Sequence, residues 1–258
     1  ARTAQAQAQS QALRNTLLAA IAHDHRTPLA TILGAAGSLH DQAERLSPPQ
    51  RLRLAATIVD EATQLSRLTE NSLQLARLDA VGLDIRRDWE SVEEIVGTVL
   101  RRVRQRHPGQ GIRTRVEAGL PLLRCDAVLM VQLLDNLVDN ALKYGGDPAA
   151  VQVVACLQDG RVVIAVCDRG PGVPAEQRER IFETFQRGDS GSAARRPDSP
   201  VRRGAGIGLA LCKAIARAHR GELRLRQRHR GGSCFELVLP VEPAPEVMAL
   251  PDVDPSSA

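Results

Sequence analysis

His23 and Asp24 set an imidazole beside a carboxylate in the run Ala22-His23-Asp24-His25-Arg26-Thr27-Pro28-Leu29. The carboxylate can orient the ring and hold its proton, which suits the imidazole to nucleophilic work. On a helix at about 100° per residue, His23 lies roughly 140° from Leu18 of the apolar stripe, whereas His25 lies within about 20° of it. Thr27 follows His23 by one turn and shares its face. Pro28 has no N–H, so the Asp24 carbonyl loses its helical partner and the helix can bend there. Taken alone, the run reads more simply as a surface histidine on a bundle helix.

Three further runs could hold a ligand. Asn136-Leu137-Val138-Asp139-Asn140-Ala141-Leu142-Lys143-Tyr144 puts Asn136, Asn140 and Lys143 along one side of a helix that ends at Tyr144. Amide oxygens are neutral ligands for Mg²⁺, and a lysine can neutralise a phosphate. An amphipathic helix with incidental amides fits that run equally well. Asp168-Arg169-Gly170-Pro171-Gly172 follows an apolar strand. The glycines Gly170 and Gly172 let the backbone pass close to a flat ligand, and a carboxylate at a strand end can accept from an exocyclic amine. A simple Gly-Pro turn would need the same residues. Gly204-Ala205-Gly206-Ile207-Gly208-Leu209 opens a helix after a polar loop, where free N–H groups favour phosphate. It is not a dinucleotide fingerprint, because the third glycine of GxGxxG would fall on Leu209 and no strand leads into it. A P-loop and an HExxH motif are both absent from the chain.

These runs need elements to carry them. The first 80 residues contain no Trp, Tyr or Phe and read as helix. Leu18, Ile21, Leu29, Ile32, Ala36 and Leu39 form one stripe, Ser47-Pro48-Pro49 is a break, and a second helix is predicted from about Arg51 to Leu78. Two long helices joined by a short loop make an antiparallel hairpin with little to bury alone, so a second copy would complete a four-helix bundle. Beyond Asp79–Gly82 short β-rich runs alternate with helices. Strands are predicted at Leu83–Trp89 and Ile112–Val116, and helices at Val92–Arg106, Asp126–Tyr144 and Gly206–Arg217. Val151–Leu157 and Val162–Cys167 form a hairpin through Asp159-Gly160, and Leu223–Arg228 with Cys234–Leu239 a second one. The class is α+β, one mixed sheet with helices on a face. Gly188–Arg203 reads as a mobile loop and the Pro-rich residues 242–258 as a disordered tail.

Composition narrows the function. Net charge is +4, but the basic residues are spread along the chain and nearly all are Arg, Lys143 and Lys213 being the only lysines. With aromatics at 2%, few rings could stack on bases, so no nucleic-acid partner is expected. The five cysteines, Cys125, Cys156, Cys167, Cys212 and Cys234, are odd in number and show no CxxC spacing. That argues against zinc or a disulfide framework and for a reducing compartment. No apolar run reaches the ~18 residues that span a bilayer. The expectation is therefore a soluble piece, without membrane contact of its own, of something longer, since it starts at Ala1.

Weak singly, the runs are specific in order. His-Asp-x-Arg-Thr-Pro, Asn-x-x-x-Asn, Asp-x-Gly-x-Gly, Phe182-Glu183-Thr184-Phe185 and Gly-x-Gly-x-Gly together resemble the H, N, G1, F and G2 boxes of sensor histidine kinases, over residues 10–240 or so. The segments HDHRTPLATILGAAGSL and DEATQLSRLTENSLQLARLDAVGLDIRRDWESVEEIVG are similar to KdpD-type potassium-responsive sensor kinases.

The resemblance implies a dimerisation and phosphoacceptor domain at 1–81 and a Bergerat-type ATP-binding α/β sandwich at 82–241. It implies ATP and Mg²⁺ as cofactors, with Asn140 as the Mg²⁺ ligand and Asn136, Lys143 and Tyr144 beside the nucleotide. Asp168 would read the adenine amine with Gly170 and Gly172 giving room, while Gly204, Gly206, Gly208 and Leu209 would line the phosphate side. His23 would be phosphorylated with Asp24 as base, Thr27 would serve dephosphorylation, and the phosphoryl group would pass to an Asp of a KdpE-type response regulator. It further implies a homodimer, and a missing membrane-embedded part that makes this piece the cytoplasmic portion of a bacterial inner-membrane protein. The chain departs from the family at His25 (usually Leu), Ala205 (usually Thr or Ser) and Arg220 (usually Gly). Two rival functions are a catalytically weak or phosphatase-only dimeric scaffold and an ATP-gated conformational ATPase of the same superfamily.

Overall fold

The computed structural model describes residues 24–78, 85–146, 150–183, 206–228 and 231–243. The predicted loop at 188–203 and the tail beyond 243 lie outside them. Helix α1 covers residues 24–41 and helix α2 covers Pro48–Leu78. The two prolines begin α2 instead of breaking the chain. Proline is tolerated in a first turn, where its missing N–H would have no partner anyway. Ser47 closes the end: its N–H and hydroxyl both donate to Gln50 Oε1, at 2.8 and 2.9 Å. The break falls instead in the turn at 42–46.

On this single chain much of the apolar surface of both helices stays open. Leu29, Leu33, Leu52, Val59 and Leu73 are exposed. Leu68 and Leu75 of α2 are buried, and they belong to the core of the second half.

That second half is a sheet covered on one face by helices. Strands β2 (Arg113–Val116), β4 (Gln152–Gln158), β5 (Arg161–Cys167), β7 (Ser233–Pro240) and β6 (Glu222–Gln227) lie in the order β2-β4-β5-β7-β6. The β2–β4 pair is parallel and the others are antiparallel. Asp159 and Gly160 both take positive φ (49° and 70°) at the β4–β5 turn, as a tight hairpin of this hand demands. The strand predicted at 83–89 is β1, Asp88–Glu90, and it stands apart from this sheet, paired with β3, Leu123–Cys125. Sequence periodicity missed β3 because three residues are too few for an alternation to register.

Helix α3 (Val92–Arg106) buries Val92, Ile95, Val96, Val99 and Val103, a helical stripe. The Ser91 side chain caps its first turn. Helix α4 (Ala127–Tyr144) is capped by Asp126, which accepts from the Leu129 N–H at 3.0 Å, and α5 spans Gly208–Ala218. All three pack over Val162, Ile164 and Val166 of β5 and Leu237 of β7 in one core. Ala165, Cys167, Cys234 and Val154 form a separate cluster on the opposite face, as the two-residue period of a strand requires.

One expectation about the cysteines fails. Cys167 and Cys234, 67 residues apart, are ladder partners on β5 and β7 with Cα atoms 4.0 Å apart, and a disulfide joins them. Local spacing cannot reveal such a pair, because strand register brings it together. Cys125, Cys156 and Cys212 are free. Among the described residues, no helix is long and apolar enough to cross a membrane.

Candidate nucleotide site

Asp168 follows the last residue of β5 and is buried, with 6% of its surface exposed. Its Oδ1 accepts from the Gly170 N–H at 2.8 Å and from the Ser233 N–H at 3.1 Å. Its own N–H donates to the Ser233 carbonyl at 2.8 Å. Arg228 Nη1 donates to the Asp168 carbonyl at 3.2 Å. The carboxylate is thus held by one oxygen in a frame made of backbone.

Glycines make that frame possible. A Cβ at Gly145 would stand 2.7 Å from the Asp168 Cβ, and one at Gly232 would stand 2.2 Å from the Asp168 carbonyl oxygen. At Gly170 a Cβ would meet the Tyr144 carbonyl oxygen at 2.4 Å. Gly170 therefore serves the packing of the turn against the end of α4, where the sequence reading had it making room for a ligand. Gly172 takes a φ of 78°, conformational freedom that only glycine has without strain.

Helix α4 forms the floor from Asp168 towards α5. Asn136, Asn140 and Lys143 share its side, and Asn136 and Asn140 are half-buried. Among the described residues Asn136 Nδ2 is buried without an oxygen partner, and its neighbour is the Cys212 thiol. Gly208, the first residue of α5, faces the Asn136 side chain. Ile207 at its N-cap supplies no side-chain bond, so the first-turn N–H groups of α5 suit an anion. The eight steps from Asn136 to Tyr144 span about 12 Å at 1.5 Å per residue. Lys143 and Tyr144 are exposed at the far end, with Lys143 Nζ 5.1 Å from the Tyr144 ring centre.

The remaining predicted residues divide. Gly206 (φ 69°) lies just before α5, while Leu209 packs against the core. Phe182 meets Phe235 edge-on at 6.2 Å and lies under Lys213 Nζ, 5.4 Å from its ring centre. Thr27 is exposed on α1 as expected. Asp24 is buried, 8% exposed, on a face shared with Pro28 and Ala35, whereas the sequence placed it beside an open imidazole. His23 and Gly204 lie outside the described residues.

Helix α2 reaches this floor. Arg67 pairs with Asp139 at 3.1 Å, and Gln132 Nε2 donates to Asn71 Oδ1 at 3.1 Å. Arg106 clasps both Asp135 (3.0 Å) and Asp139 (2.9 Å) from α3. Burial still pushes the Asp135 carboxyl above its ordinary range, with Arg106 pulling the other way. Sequence reasoning missed Gly145, Gly232, Ser233 and Arg228. The doubled glycines Gly145-Gly146 and Gly231-Gly232, each at the end of a predicted element, were the available signal.

A helical hairpin leading into a helix-covered mixed sheet, with a buried carboxylate at one end of α4 and an unsatisfied amide two turns back, defines the core of a sensor histidine kinase. Residues 13–81 match the His Kinase A (phospho-acceptor) domain, and residues 125–243 match the histidine kinase-, DNA gyrase B- and HSP90-like ATPase domain. The chain belongs to the sensor histidine kinase family. Over 240 residues it is 35% identical to the sensor protein KdpD of Escherichia coli (strain K12), covering 91% of this chain and 25% of that protein. It thus spans about a quarter of the length of that relative. Full-length ShkA, solved in complex with AMPPNP, is 29% identical with a TM-score of 0.59, over 88% of this chain and 45% of that one. Histidine kinase ThkA, solved in complex with response regulator protein TrrA, shares the fold at a TM-score of 0.63 and 20% identity, over 90% of this chain and 63% of that one.

Proposed function

We propose that this chain is the catalytic piece of a two-component sensor that phosphorylates His23 with Mg²⁺–ATP and hands the phosphoryl group to an aspartate of a response regulator. One observation carries the reading. Among the described residues Asp168 is held by Oδ1 alone, at the C-terminal end of α4, and the buried Asn136 Nδ2 two turns back in that helix has no oxygen partner.

In this reading Asp168 accepts the adenine amine on its other oxygen. Asn140 would hold Mg²⁺, and Asn136, Lys143 and the N–H groups of α5 would face the phosphates, with Gly204 assigned to the same side by the family resemblance alone. The bound nucleotide supplies an activated phosphoryl group whose charge the metal offsets. Asp24 takes the proton from His23 as the imidazole nitrogen forms its bond to the γ-phosphorus, while the bond from that phosphorus to the bridging oxygen breaks and ADP leaves. Positioning and charge neutralisation account for the rate, since little covalent machinery is needed. The homodimer is supported by the exposed leucines of α1 and α2. Domain limits at 1–81 and 82–241, a tail from 242, a phosphatase activity through Thr27, potassium or osmotic signalling, a KdpE-type regulator and attachment to a bacterial inner membrane follow from the likeness to KdpD.

The test is a chase. Protein labelled from γ-labelled ATP and Mg²⁺ is freed of nucleotide and given candidate regulators. Label should leave the kinase and appear on one regulator within its first minutes. Free phosphate with no protein-bound intermediate would instead indicate an ATP-gated conformational ATPase, and no reaction at all a silent scaffold.

A further inference from the structure

We propose that Cys167 and Cys234 form a redox modification site that sets nucleotide affinity through the Asp168 rung, an inference that rests on reading Asp168 as the adenine partner. The pair occupies one rung of the β5–β7 ladder, and Asp168 and Ser233 occupy the next. That next rung supplies one of the two N–H groups that fix the carboxylate, Ser233 N–H on Oδ1. A covalent tie one residue away therefore sets the strand spacing at the point where the carboxylate depends on it. Gly232 adds sensitivity, because its backbone lies so close to the Asp168 carbonyl that even a methyl group has no room.

The chemistry of the pair is suited to exchange. Arg226 Nη2 stands 4.0 Å from Cys234 Sγ, and a guanidinium beside a sulfur favours the reactive thiolate. The Arg226 side chain is largely exposed, and of the two cysteines Cys167 keeps 7% of its surface open while Cys234 keeps none, so exchange begins at Cys167. Burial pushes the Cys125 and Cys212 thiols up to about 12, which leaves them inert at neutral pH.

The oxidant is a low-molecular-weight disulfide. One cysteine thiolate attacks it, forming a mixed disulfide and releasing one small thiol. The second cysteine, as thiolate, displaces the other small thiol and closes the Cys167–Cys234 bond. Two electrons pass to the small disulfide, and the protons lost by the cysteines end on the two small thiols. Two separate thiols take more room than one disulfide, so reduction relaxes the ladder and loosens the hold on Asp168.

The experiment uses the whole chain, reduced with dithiothreitol or treated with oxidised glutathione, with the linkage checked by peptide mass. Binding of a non-hydrolysable ATP analogue with Mg²⁺ is measured by calorimetry. The oxidised protein should carry a Cys167–Cys234 peptide and bind about fivefold to tenfold more tightly, the equivalent of one hydrogen bond. Cys167→Ala should show the affinity of the reduced protein under both treatments. Equal affinities in the two states, no linkage after oxidation, or a Cys167→Ala protein that still responds would each overturn the inference while leaving the nucleotide site intact. Absence of binding in both states would refute the nucleotide site, and the inference with it.

Discussion

Asp168 and Ser233 bind each other twice across β5 and β7. The Asp168 N–H donates to the Ser233 carbonyl at 2.8 Å, and the Ser233 N–H donates to Asp168 Oδ1 at 3.1 Å. The first bond belongs to the ladder and the second replaces a ladder bond with a side chain. The carboxylate thereby becomes part of the end of the β5–β7 ladder, held by the backbone itself.

Asp168→Asn separates fold from binding. An asparagine can keep its single oxygen on Gly170 and Ser233, so the rung survives. The second position then carries an NH₂ group that meets the adenine amine donor to donor. Loss of such a paired group costs about 1–3 kcal/mol or more where the partner stays buried. Calorimetry should show ATP affinity reduced at least tenfold with the melting temperature unchanged; full affinity would remove Asp168 from the site.

Gly232→Ala tests the closeness of the backbone at this rung. Its Cβ would stand 2.2 Å from the Asp168 oxygen, at a φ of 100°. Gly109 has a similar φ of 90° but open space around it, so Gly109→Ala reports the conformational cost alone. Positive φ costs a non-glycine residue about 1–2 kcal/mol, and overpacking adds about 1–3 kcal/mol. Melting of both proteins should show Gly232→Ala as clearly the less stable, with nucleotide binding impaired only there. Equal losses would mean that the rung yields easily.

Much of this fold was readable in the residues. Asp159-Gly160 announces its hairpin because only a positive-φ pair suits that turn, and the Val92–Val103 stripe announces α3. Asn136 and Asn140 were legible for the same reason, since a helical period fixes which side chains share a face. What stayed hidden depends on register between distant strands. The Cys167–Cys234 pair, the Ser233 amide under Asp168 and the β1–β3 ribbon are contacts between residues far apart in the chain, and no local pattern encodes them. Gly170 shows the intermediate case. Its type was noticed, but its neighbour is the Tyr144 carbonyl, which only the tertiary structure brings there.

His219 gives stability a dependence on pH. Its Nε2 accepts from the Asp126 N–H at 3.0 Å and its Nδ1 faces the Ile215 carbonyl at 2.8 Å, a pair of partners that selects the neutral ring. Burial holds its pKa below the ordinary 6.5, against the opposing pull of Ile215 and Asp126. The unfolded chain therefore takes up this proton first as pH falls. The stabilising contribution is complete above the unfolded value and is lost as pH drops through 6.5 towards the lower folded value. Melting curves from pH 7.5 to 5 should fall more steeply for the wild type than for His219→Gln. Parallel curves would show that this ring stays out of the acid response.

Thr27→Ala should divide two activities. Thr27 is exposed on α1 and lies four residues after His23 in the sequence; in the proposed dephosphorylation its hydroxyl would orient a water towards a phosphorylated regulator. Attack of His23 on ATP does not need it. The variant should autophosphorylate at near the normal rate and dephosphorylate its regulator at least several-fold more slowly. Equal loss of both activities would assign Thr27 to supporting the helix at Pro28.

The central claim is that His23 receives the phosphoryl group from nucleotide held between Asp168 and Asn136, and position-resolved labelling tests it most directly. His25 is the control, since it is half-buried on α1 with an Nε2 that has no hydrogen-bond partner among the described residues. After incubation with γ-labelled ATP and Mg²⁺, phosphopeptides are mapped at neutral pH under conditions that spare acid-labile bonds. The account predicts label on His23, lost in His23→Gln and retained in His25→Leu. Label on His25, or release of free phosphate with none on the protein, would contradict it.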